Sequence, residues 1–131
     1  MTPILVPVAP GELIDKLTIL ELKLSHMSDP VKIKNVQYEY DELTAVLNQA
    51  CPETPALSSL RTQLKTINQT LWDIEDDIRL CEKNQDFGPK FIELARAVYH
   101  TNDQRAAVKR EINLLLKSSI LEEKSYQNYS A

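Results

Sequence analysis

Between Leu57 and Cys81 an apolar residue recurs at alternating steps of three and four: Leu57, Leu60, Leu64, Ile67, Leu71, Ile74, Ile78 and Cys81. Seven consecutive intervals obey the heptad template, the pattern of a long helix that buries one seam against a neighbour. Thr54-Pro55 supplies a cap and a first-turn proline, so this helix is expected from roughly Pro55 to Asn84. It would be the third in the chain.

The first helix is expected to begin near Pro10-Gly11-Glu12 and to run to about Met27. Leu13, Leu17, Leu20, Leu24 and Met27 form one stripe, with Ile14, Ile19 and Leu22 beside it. A helix apolar over more than half its circumference belongs at the centre of a bundle. Asp29-Pro30 then restarts the pattern, with Asp29 as N-cap, and the second helix extends to about Ala50. Between the second and third helices Cys51-Pro52-Glu53 forms a short break, which favours antiparallel packing of the two.

Asp86-Phe87-Gly88-Pro89 ends the third helix and starts the fourth. Here Phe91, Leu94, Val98, Val108, Ile112 and Leu115 keep heptad spacing, but Thr101 and Arg105 fill the two seam positions between. Either the helix breaks at His100-Thr101, with Thr101 and Gln104 as a capping box, or it continues with polar groups facing inward. Continuation is the preferred reading. Ahead of the helices, residues 1–10 alternate apolar residues with Pro3, Pro7 and Pro10 and suit an extended segment or short edge strand. The apolarity of Ile4, Leu5, Val6 and Val8 implies that it docks on the body or pairs with a second copy. Residues 119–131 read as an irregular tail. The expectation is one all-α domain: a compact bundle of about four helices, with a long third helix and a short extended N-terminal segment.

Composition changes this picture little but narrows the function. The chain has 131 residues, 43% of them hydrophobic and 26% charged, ordinary for a globular domain. Its formal net charge of −4, with no basic tract, argues against nucleic acid as a partner. No apolar run approaches the roughly 18 residues of a membrane span, and the proline-broken N-terminus is a poor signal peptide. Cys51 and Cys81 fit reduced thiols in the cytoplasm, and no Cys/His spacing of the zinc type occurs. Two glycines in all, Gly11 and Gly88, nearly exclude a backbone phosphate cradle. Any anion would have to be held by side chains.

The candidate chemistry is a cluster of charges. Trp72, Glu75, Asp76 and Arg79 share one face of the third helix, within a dense acidic run that includes Asp73 and Asp77. A solvated face with intrahelical pairs is the plain explanation, although a tryptophan on it is uncomfortable. Across from it, the fourth helix offers Arg96, Tyr99, Asn102, Arg105 and Lys109, so Arg105 is expected to pair with Glu75 or Asp76. The first helix adds Glu12, Asp15 and Lys16, where negative charge also complements the helix dipole. As a ligand site this cluster would receive a small anionic or phosphorylated compound without a cofactor. The alternative groups Glu12, Asp15, Asp73 and Asp76 around Mg²⁺, as carboxylates do in helical nucleotide pyrophosphohydrolases.

Three segments carry a resemblance. Gly-Glu-Leu-Ile-Asp-Lys-Leu-Thr-Ile-Leu-Glu (11–21), Leu-Trp-Asp-Ile-Glu-Asp-Asp-Ile-Arg (71–79) and the run from Phe91 to Asn113 resemble an uncharacterised family of short bacterial helical proteins. Members of that family occur beside glycosyltransferase and surface-polysaccharide genes. The resemblance implies that Glu12, Asp15, Lys16, Thr18, Glu21, Trp72, Glu75, Asp76, Arg79, Arg96, Tyr99, Asn102, Asp103, Arg105 and Lys109 matter to it. It implies no reaction. The expected function is a cytosolic accessory or small-anion-binding protein, able to pair as a homodimer and linked to surface-glycan metabolism through that gene association; the rival is a Mg²⁺-dependent enzyme acting on a phosphorylated or nucleotide-linked metabolite.

Overall fold

A computed structural model describes residues 1–130. Four helices follow one another: α1 (Pro10–His26), α2 (Pro30–Ala50), α3 (Pro55–Lys83) and α4 (Pro89–Leu115). Among the described residues there is no strand. Each helix carries proline in its first turn, where the missing N–H costs no hydrogen bond. The Asp29 carboxylate caps α2 by accepting from the Val31 and Lys32 N–H groups, and the Thr54 hydroxyl caps α3 by accepting from Leu57. No described helix is long and apolar enough to cross a membrane.

α1 is the hub. It packs against α2, α3 and α4; α2 packs backbone to backbone on α1 and not, as its short connection leads one to expect, on α3, which pairs extensively with α4. Ile14, Leu17 and Leu20 are essentially inaccessible, each contributing about 1.5–3 kcal/mol by burial. They form one core with Val36 and Leu47 of α2, Leu57 and Leu64 of α3, and Val108 and Ile112 of α4. Ile74 and Cys81 are buried as well, in the outer part of the α3–α4 hairpin, so the heptad seam runs on beyond α1.

α4 is continuous through His100–Asp103, with Thr101 buried where the apolar seam is interrupted. Both long helices end in Schellman motifs. Gln85 and Lys117 take left-handed backbone, and the Asp86→Cys81 and Ser118→Asn113 bonds close the last turns at 2.9 and 2.8 Å. The second of these turns the chain back, so that residues 119–130 run irregularly along α4. The N-terminal segment does not dock on the body. Ile4, Leu5, Val6 and Val8 are exposed and burial begins only at Ala9, because an all-helical bundle offers this proline-broken segment no strand edge to join.

One close approach fixes the start of α1 on α4. The Gly11 N–H donates to Asn113 Oδ1 at 2.7 Å, and a Cβ at Gly11 would lie 2.5 Å from the Lys109 carbonyl oxygen and 2.8 Å from that amide oxygen. Gly11→Ala should therefore push the two helices apart and destabilise the chain by about 2 kcal/mol in urea unfolding. A neutral substitution would show that this contact is looser than the geometry implies.

Candidate functional site

Asp15 faces inward from α1 and is 1% exposed. A carboxylate so buried requires donors, and two other helices supply them. Arg105 of α4 makes a two-pronged contact, Nε to Oδ1 at 2.9 Å and Nη2 to Oδ2, while Asn68 of α3 donates to Oδ1 at 2.9 Å. Asn68 also donates to the Thr18 hydroxyl at 2.9 Å, and that hydroxyl donates to the Asp15 carbonyl at 2.7 Å. The bond to Asp15 outweighs desolvation and raises the Arg105 pKa, so the guanidinium stays charged.

A second junction lies further along α1. Glu21 accepts from Arg61 Nη2 at 2.7 Å and from the Tyr40 hydroxyl at 3.1 Å, and pairs with Lys65 at 3.0 Å. Burial by itself would raise the Glu21 pKa; the hydrogen bonds and charges of Arg61 and Lys65 prevail and lower it. A third polar contact is planar. Trp72 stacks on His26 at 4.8 Å between ring centroids, and His26 Nε2 lies 3.1 Å from Gln69 Oε1.

Arg105 thus pairs with Asp15, not with Glu75 or Asp76. The apolar seam through Leu71, Ile74 and Ile78 takes the packed side of α3, which turns Glu75, Asp76 and Arg79 outward. Arg79 meets only its own helix, donating to Glu75 at 2.6 Å with both side chains largely exposed, and Asp73 accepts from Gln69 at 3.0 Å. The acidic run is a solvated face, and Trp72 is explained by His26. Arg96 is exposed, and Lys16 pairs with Glu39 of α2 on the surface at 3.1 Å. Glu12, Asp15, Asp73 and Asp76 do not converge: among the described residues no three His, Cys, Asp or Glu side chains form a cation cluster.

Three of the expected residues do share a surface. Asn102, Arg105 and Lys109 line a groove of about 280 Å³ along α4, together with Ala106, Arg110, Asn113 and the tail residues Glu122–Lys124. Tyr99 lies just beyond, with Tyr129 of the tail against its edge at 5.1 Å and the Tyr129 hydroxyl donating to Asp103 at 2.7 Å. That hydrogen bond holds the Tyr129 phenol above its usual pKa. Lys109, with 14% of its side chain exposed, is held from behind by Glu12 at 2.7 Å. The groove therefore presents cations already oriented by carboxylates of α1.

Sequence reasoning left Asn68, Asn113 and Arg61 out of the site. Asn68 had a signal: it lies four residues after Leu64 and three before Leu71, a polar residue on the packed side of an apolar seam. Asn113 had none, since its partner is a backbone N–H.

These features define an all-helical protein in which a buried carboxylate–guanidinium node ties three helices together. Residues 4–130 match a family of unknown function (DUF6165), and the chain belongs to that family. No curated protein and no solved structure matches it.

Two expectations follow. Arg105→Ala strands the Asp15 charge in a buried position and should cost roughly 3–5 kcal/mol, whereas Glu75→Ala should stay within about 0.5 kcal/mol. Equal losses in denaturant melts would reject the node. Because the Glu21 pKa is lower folded than unfolded, its contribution is complete above the ordinary glutamate value (about 4.3) and fades as pH falls through the folded value. The stability gap between the wild type and Glu21→Gln should accordingly close as the pH is lowered from about 6 towards 3. A gap independent of pH would rule this out.

Proposed function

We propose that this chain is a helical accessory protein that binds a small anion in the groove along α4. One observation carries the reading: Arg105, Lys109 and Arg110 line the same groove, beside the amides Asn102 and Asn113 and the small Ala106. Arg105 and Lys109 are positioned in advance by Asp15 and Glu12, so a ligand need not order them. A guanidinium and an ammonium with adjacent amides suit phosphate or carboxylate oxygens, and Arg and Lys serve as fork and point charge respectively. A phosphorylated or nucleotide-linked sugar meets that chemistry and accords with the gene association of the resembling family. Both cysteines are free, in keeping with a cytoplasmic setting. The Mg²⁺ enzyme has no comparable support, since its carboxylates are dispersed over separate faces.

Inorganic pyrophosphate and glucose 1-phosphate, each titrated into the millimolar range, should raise the melting temperature of the wild type. Lys109→Gln should abolish the shift. No shift with either compound, or a shift that persists in Lys109→Gln, would overturn the reading.

A further inference from the structure

We propose that the C-terminal tail is a resident competitor for this groove, its Glu122 and Glu123 carboxylates standing where the ligand's negative charges bind. This rests on the anion reading above and adds how the site is kept closed. Among the described residues lining the groove, the acidic ones are Glu122 and Glu123, both on the tail; α4 contributes cations, amides and alanines. The wall and its occupant are complementary in charge and differ in how firmly they are held.

Glu123 accepts from Arg110 at 3.0 Å, and Glu122 lies 3.6 Å from Lys109. The tail's other anchor is the Tyr129–Asp103 hydrogen bond, with the Tyr129 ring also against His100 at 4.7 Å. All of these tail side chains are exposed, and exposed pairs of this kind hold weakly. Lys109 keeps Glu12 when the tail lifts, and Arg105 keeps Asp15, so two cations stay oriented while Arg110 loses its carboxylate. The reversal at Lys117, set by the left-handed turn after α4, brings the acidic pair back beside Lys109 and Arg110. Lifting the tail leaves the core alone, because none of the described tail residues belongs to it. The site opens without unfolding, and an anion of higher charge density replaces the two carboxylates.

The test is calorimetric titration of inorganic pyrophosphate into the full-length chain, the full-length double variant Glu122→Gln/Glu123→Gln, and a charge-matched control, Asp41→Asn/Glu42→Gln, altered on the exposed face of α2. Releasing two weak pairs should tighten pyrophosphate binding by about tenfold in the tail variant. The control should shift far less, and adding Lys109→Gln to the tail variant should remove the gain. Equal affinity in the wild type and the tail variant, or an equal gain in the control, would overturn the competition while leaving the anion site standing. Absence of binding in all three chains would defeat the anion reading itself, and the competition with it.

Discussion

A carboxylate taken out of water must be met by donors, and Asp15 draws them from α3 and α4 at once. Its partners, Asn68 and Arg105, are far apart in sequence, so the contact exists only when three helices are in place together. Relative to well-packed apolar residues, a buried pair of this kind adds little net stability, but losing one member is costly. Its effect falls on which packing is allowed. Sliding α4 by one turn would move Arg105 away from Asp15, and would also break the Gly11–Asn113 contact one turn of α1 earlier.

The same constraint explains why α4 tolerates polar residues in its seam. Arg105 would be a fault in a helix packed only on α3, but Asp15 of α1 meets it there and turns the gap into a junction. Glu21 repeats the arrangement further along α1, with Tyr40, Arg61 and Lys65 around one carboxylate. α1 therefore carries apolar side chains for the core and carboxylates that orient cations on its neighbours. The groove on α4 is the outer side of that arrangement, where Arg105 and Lys109 reach the surface already fixed.

Much of the fold was legible because its signals are local. The caps at Asp29 and Thr54, the prolines of the first turns and the heptad seam of α3 each depend on residues within one or two turns, and the helix starts follow. Of the site, the residue types were legible and the pairing was not. Glu12, Asp15, Arg105 and Lys109 stood out as charged residues, yet Arg105 was assigned to the acidic run of α3. Heptad spacing shows which side of a helix is buried; it does not say which of several neighbours lies against a given turn. Glu75 and Asp76 are close to the seam in sequence but turn away from it in space.

The sequence by itself determined four helices, where each begins and a central α1, since these follow from periodicity and capping over short stretches of chain. Only the tertiary structure decided that Asp15 rather than Glu75 answers Arg105, that Trp72 rests on His26, and that the tail returns to the cations of α4. Those contacts join residues up to 90 positions apart, and nothing local distinguishes one exposed carboxylate from another until packing buries it.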